Sequence, residues 1–160
     1  MRIALGADHG GFHLKELLAG HLVGQGHQVV DLGTHTEEAV DYPGYGAAVG
    51  RAVTEGAAAV GVCVCGTGIG IAMVANKVPG VRAAVVHDVT TGRLARGHNH
   101  ANVICLGARV TGPEVAVEAL DAFLATAPEG GRHARRVAQI ASLEARVADG
   151  APQSLEGAGR

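Results

Sequence analysis

The chain has 160 residues, 48% hydrophobic and 18% charged, with a formal charge of −2 and 2% aromatic residues. This balance fits one globular domain with a sizeable core and excludes a disordered chain. With no basic stripe and few stacking rings it argues against nucleic acid, and three cysteines make no disulfide framework, which points to a reducing cytoplasm.

The opening "MRIALGADHGGFHLK" breaks its apolar run at Asp8, too soon for a signal peptide or a bilayer span, so no membrane role is expected. Residues 2–7 read as a buried strand. Leu14, Leu17, Leu18 and Leu22 then mark one helical face, closed by Gly24 and Gly26. Further strands are predicted over 27–33, 58–64, 81–86 and 102–107, with a helix after Gly70 and an Arg/Ala-rich helix ended by Gly97. Ala116, Ala119, Leu120, Phe123 and Leu124 mark another helix, with Pro113 in its first turn. Val137, Ile140 and Leu143 predict a last helix running towards Val147. Residues 149–160 lack periodicity and are expected to be a disordered tail to a single domain of residues 1–148. Alternating strands and helices imply an α/β fold with a five-stranded parallel sheet.

In such sheets ligands bind outside the carboxyl ends of the strands. Those ends read "ADHGG" (7–11), "CGTGIG" (65–70), "HD" (87–88) and "GAR" (107–109). Cys63 and Cys65 are expected on opposite faces of their strand, which disfavours a shared metal or a disulfide. Cys65 ends the strand where the glycines begin, at the positive end of the next helix, a setting that favours the reactive thiolate. Glycines there let main-chain amides approach an anionic oxygen, in phosphate or enolate, although a tight turn alone needs them too. The spacing G-x-G-x-G, with Ile71 in the last required place, departs from a dinucleotide fingerprint, yet Asp88 stands where a ribose-binding acid would fall. A nucleotide-sensing module therefore stays open as a rival, as does a thiol redox protein.

Asp8 and His9 follow the first strand, as a helix cap and loop residue or as ligands. "GHNHANV" (97–103) offers histidines for acid–base work, without a carboxylate or third histidine at a spacing that favours metal. In "GGRHARR" (130–136), Arg132, Arg135 and Arg136 crowd a helix N-terminus, against its dipole by about 0.3–1 kcal/mol each. An anion held by Arg132 and Arg136, four apart on one face, would offset that cost, and a solvated basic face is the alternative.

Together "ADHGGFHLK", "DLGTHTEEAVDYPGYG", "CGTGIGIAMVANK", "HNHANVICLGARV" and "EGGRHARRV" resemble the ribose-5-phosphate isomerase B family, in order from residue 2 to about 147. That family also includes galactose-6-phosphate and allose-6-phosphate isomerases, which leaves the choice of sugar open. The resemblance implies a three-layer αβα Rossmann-like fold, a homodimeric core with tetramers left open, and no cofactor; by the spacing of the histidines no metal is expected. It implies interconversion of ribose 5-phosphate and ribulose 5-phosphate through a cis-enediolate. By the same resemblance Cys65 is the base, with Thr67 and His98 catalytic and His98 opening the furanose ring. Gly66, Thr67, Gly68, Ile69, Gly70 and Asn99 hold the enediolate oxygens. Asp8 and His9 bind substrate, and Arg109, Arg132 and Arg136 bind sugar hydroxyls or phosphate. Part of the family carries an acid just after the glycine loop; Ile71 fills that place here, which marks a cysteine-type member. "HNH" stands where many relatives read "HND", and "HDVTTG" (87–92) lacks an aromatic residue many relatives carry.

Cys65 and Arg109 fall at carboxyl ends of strands, but His98 and Asn99 precede the amino end of one. These edges lie roughly 17–20 Å apart in one sheet. The sequence therefore predicts that His98 and Asn99, and with them Arg132 and Arg136, reach Cys65 from a second subunit.

Overall fold

The computed structural model describes residues 1–148; the predicted tail at 149–160 lies outside the described residues. Strands β1 (Arg2–Ala7), β2 (Gln28–Asp31), β3 (Val60–Cys65), β4 (Ala83–Val85) and β5 (Val103–Gly107) form one parallel sheet in the order β2-β1-β3-β5-β4. Between and after them run α1 (Phe12–Gly24), α2 (Tyr42–Thr54), α3 (Ile69–Ala75), α4 (Val89–Asn99), α5 (Pro113–Ala125) and α6 (Arg132–Ala148). The three-layer α/β architecture is as expected. β2 and β4 are shorter than their apolar runs, although Leu32 and Thr34 still bond the carbonyls of Leu5 and Ala7 beyond the end of β2.

The strand period of two sorts the core. Val60, Val62 and Val64 join Leu14, Leu18, Leu22, Ala95, Leu120 and Phe123, so α1, α4 and α5 cover one face of the sheet. Cys63 and Cys65 join Val49, Ile71, Ala75 and Cys105 beneath α2 and α3 on the other. The expectation that the two cysteines face opposite ways is thus wrong. Residues two apart on a strand share a face, and only neighbours alternate. All three thiols are nevertheless free and buried.

Two helical details also differ from the sequence reading. Leu17 is 42% exposed, because at 100° per residue it falls outside the arc spanned by Leu14, Leu18 and Leu22. Gly97 does not end α4. It is buried inside the last turn, and His100 closes the helix in the left-handed region at φ 50°. His98 and Asn99 therefore sit on a helical turn, not in a loop.

The place in the buried arc that Leu17 leaves is taken by Lys15, whose side chain is fully enclosed. Its ammonium pairs with Asp31 at the end of β2 and with Glu16 at 2.8 Å. Burial pulls its pKa down, but hydrogen bonds to Asp31 and Glu16 outweigh that and leave it raised. The pair ties α1 to the edge strand and steadies the crossover that leads to the ligand side of the sheet.

Lys15→Met should cost about 2–4 kcal/mol in urea unfolding at fixed protein concentration, since it strands a partly buried carboxylate. A lysine with a raised folded pKa contributes fully below its ordinary 10.5 and loses that contribution as pH climbs through the folded value. The gap between wild type and variant should therefore hold from neutral pH upward and close only above about pH 10.5.

Candidate active site

The chain reverses its direction of travel across the sheet between β1 and β3, and this switch point opens a crevice at their carboxyl ends. Asp8 follows β1 and Cys65 ends β3. Asp8 is buried and its Oδ1 accepts the Gly11 amide at 3.0 Å, so it does cap the turn that opens α1. A side chain on Gly10 would meet Asp8 Oδ1 at 3.3 Å, the Gly66 nitrogen at 3.4 Å and Arg109 Nη2 at 3.7 Å. Asp8, the glycine loop and the Arg109 guanidinium thus face one small space. The Arg109 amide donates to the Gly66 carbonyl at 2.9 Å, which locks the β5 exit loop onto the β3 exit loop. His9 Nδ1 lies 3.2 Å from both the nitrogen and the oxygen of Val40, which anchors the loop before α2.

Cys65 is 5% exposed, and its Sγ accepts the Gly68 amide at 3.1 Å. The loop doubles back on the sulfur because Gly68 adopts φ 78°, a conformation costly for other residues. Its α-carbon also packs on the Leu106 backbone, where a Cβ would come within 3.0 Å. Thr67 is exposed, and its Oγ1 accepts the Ile69 amide at 3.3 Å, leaving its hydroxyl hydrogen free to donate. Gly70 and Ile71 open α3, where helix amides have no intrahelical acceptor.

Tyr42 is a site residue that the sequence reading passed over. Its ring lies so close to Gly70 that a Cβ there would meet the hydroxyl at 2.9 Å. The hydroxyl therefore hangs at the mouth of the cysteine loop. The signal lay in "DYPGYG": Pro43 after Tyr42 fixes the start of α2 and with it the direction of the ring.

A second cluster forms at the amino edge of the sheet, on the last turn of α4 and the start of α6. His98 Nε2 is 3.4 Å from Glu129 Oε1, and its ring stacks on His133 with centroids 4.0 Å apart. Glu129 Oε2 lies 3.7 Å from His133 Nε2, which accepts the Arg132 Nε–H at 3.2 Å. Burial, with His98 and Arg132 beside it, holds the His133 imidazole below its ordinary pKa. Arg132 and Arg136 are exposed and have no carboxylate within ion-pair distance among the described residues. Asn99 is exposed beside a groove of about 890 Å³ that runs between β4 and the Ile140 face of α6.

His98, Glu129 and His133 place three ligand atoms within 4.8 Å of one another. Glu129 and His133 stand four apart, but His98 joins them from more than thirty residues earlier in the chain, so no local spacing reports the trio. As arranged it is a hydrogen-bonding set more than a metal cradle. The near-parallel rings, 18° apart, do not aim their in-plane lone pairs at one point, and Arg132 already occupies His133 Nε2.

The rival nucleotide reading loses its acid. Asp88 caps α4 in a reciprocal box with Thr91, whose amide holds the carboxyl below the usual range. It sits beyond β4, with β5 between that strand and the glycine loop.

The structure thus gathers Asp8, His9, Cys65, the loop 66–70 and Arg109 at one edge, and His98, Asn99, Arg132 and Arg136 at the other. About six residues of strand, or about 20 Å, separate the two groups.

The sequence profile described as Ribose/Galactose Isomerase matches residues 3–140. The chain is 45% identical over 145 residues to ribose-5-phosphate isomerase B of Escherichia coli, covering 91% of this chain and 97% of that one. Ribose-5-phosphate isomerase B of Clostridium thermocellum superposes with a TM-score of 0.91 at 46% identity, over 92% of this chain and 99% of its own. The Mycoplasma genitalium enzyme, solved with bound ribulose 5-phosphate, gives a TM-score of 0.87 at 40% identity, over 90% of this chain and 96% of its own. A sulfur-bearing switch-point crevice on this sheet, matched along nearly all of its length, leaves one assignment: the chain belongs to the ribose/galactose isomerase family.

Proposed function

We infer that this chain is a ribose-5-phosphate isomerase, interconverting ribose 5-phosphate and ribulose 5-phosphate through a cis-enediolate. The observation that carries the mechanism is the Cys65 sulfur, held at 3.1 Å by the Gly68 amide on the lip of the crevice. A carbon-bound proton beside a carbonyl leaves readily only where fixed donors meet the oxygen that gains charge. Cys65, as thiolate, takes the proton from C2 and returns it to C1. The Gly68 amide steadies the sulfur, while Thr67 and the amides at the start of α3 face the enediolate oxygens. Asp8, His9 and Arg109 bind the sugar and its phosphate from the same edge.

His98 opens the furanose ring, Asn99 supports the enediolate, and Arg132 and Arg136 hold anionic oxygen. A single copy keeps these about 20 Å from Cys65, so a second copy supplies them. Exposed apolar residues flank both halves: Ile69 and Met73 beside the cysteine loop, Ile140 and Leu143 on α6. A homodimer that lays the amino-edge cluster of one protomer over Cys65 of its partner covers both patches and completes two sites. Arg132 and Arg136, which have no carboxylate partner among the described residues, then meet the substrate's phosphate. No helix among the described residues is long and apolar enough to cross a membrane, and three free cysteines suit a reducing cytoplasm.

Cys65→Ala should lower turnover of ribose 5-phosphate by at least about a thousandfold with an unchanged circular dichroism spectrum. Activity surviving in that variant overturns the proton-transfer role. Mixing Cys65→Ala with His98→Ala chains tests the shared site. In a mixed dimer one site carries both lesions and the other neither, so statistical exchange should restore about a quarter of wild-type activity. Absence of recovery, with exchange verified by native mass spectrometry, puts both residues in one protomer.

A further inference from the structure

The second histidine of "HNH" has a structural partner. His100 Nε2 lies 2.7 Å from the Glu129 carbonyl and donates to it, while the Glu129 amide donates to the Gly97 carbonyl at 2.9 Å. The backbone of Glu129 is thus gripped on both sides by the last turn of α4. Its side chain lies over Gly97, where a Cβ would come within 3.2 Å of Glu129 Oε1, so the bare glycine leaves the carboxylate room. The carboxylate that results stands 3.4 Å from His98 Nε2, with the His133 ring stacked against the far face of that imidazole. Among the described residues only this carboxylate lies within ion-pair distance of His98.

We propose that Glu129 is a positioning residue for His98: clamped by His100 and Gly97, it holds the Nε2 edge of the imidazole and leaves Nδ1 to open the sugar ring. This rests on the ring-opening role given to His98 above. A carboxylate on one ring nitrogen keeps the proton there and sets the lone pair on the other. Nδ1 then accepts the proton of the C1 hydroxyl. As C1=O1 forms, the bond from C1 to the ring oxygen breaks, and the same proton passes from Nδ1 to that oxygen. The imidazolium formed in between is stabilised by Glu129, which itself gains and loses no proton. His133 fixes the tilt of the ring by stacking, and Arg132 fixes His133 through its Nε2.

Ring opening can be separated from proton transfer by the choice of substrate. Ribulose 5-phosphate cannot close a five-membered ring, because the oxygen it would use carries the phosphate. Exchange of its C1 hydrogen with deuterated water, followed by NMR, therefore needs Cys65 and the glycine loop but no ring opening. Glu129→Gln should slow turnover of ribose 5-phosphate about tenfold while that exchange, and KM, stay within about twofold of wild type. His100→Asn, which tolerates positive φ but loses the bond to the Glu129 carbonyl, should show the same pattern at about threefold, the worth of one neutral hydrogen bond. Turnover unchanged in both variants, or turnover and exchange falling together, overturns the proposal. His98→Asn reports on the underlying reading: if it slows exchange as much as turnover, His98 does not act in ring opening, and the positioning role falls with it.

Discussion

A parallel sheet has two chemically different edges, and everything in this molecule follows from that polarity. All carboxyl ends point one way, so the loops that follow β1, β3 and β5 meet at one crevice with amides and side chains converging. The helix that precedes β5 must end at the opposite edge, and it brings His98 and Asn99 with it. No rearrangement of loops within one copy joins the two groups, because the buried strands between them are the core itself. Exposed apolar side chains lie beside each cluster.

Within the crevice, packing decides what each donor does. The left-handed turn at Gly68 sends its amide back to the sulfur, so that amide is committed to Cys65. The amides that follow it, at the head of α3, have no intrahelical acceptor. Tyr42 closes the space above Gly70, and Arg109 lies along Gly66, so the loop is fixed from above and from the side. A loop held so firmly needs little reorganisation when charge develops, which is the condition for electrostatic catalysis.

Much of this was legible in the residues. Five apolar runs gave five strands, Pro113 marked the first turn of α5, and the glycine comb after Cys65 marked the site. What failed did so for identifiable reasons. Gly97 reads as a helix terminator, yet its lack of a side chain makes room for Glu129, and a histidine takes the left-handed position instead. That exchange depends on Glu129, more than thirty positions from Gly97, which no local pattern reports. Lys15, beside the leucine face, gives no sign of burial in the sequence. It is buried because Asp31, across a crossover, accepts its proton donors. Tyr42 carries no periodic signal: the proline after it marks the start of α2, and its approach to Gly70 places its ring at the site.

The three cysteines show how far position alone determines chemistry. Cys63, Cys65 and Cys105 lie on the same face of the sheet, in the same apolar cluster, and Cys63 pairs in register with Cys105. For Cys105 the neighbouring Cys63 thiol and complete burial push the pKa well above the ordinary value, so it stays a protonated hydrophobe. Cys65 is two residues further along from Cys63. That displacement carries its sulfur from mid-strand to the end of β3, where the sheet stops and a backbone amide turns to meet it. A thiol in the middle of a strand has only side chains and other thiols around it, and the strand's own amides are committed to the ladder. At the strand's end the next amides are free of the ladder, and glycine lets them turn inward. Whether a thiol on this face meets such an amide is therefore a property of where the sheet ends.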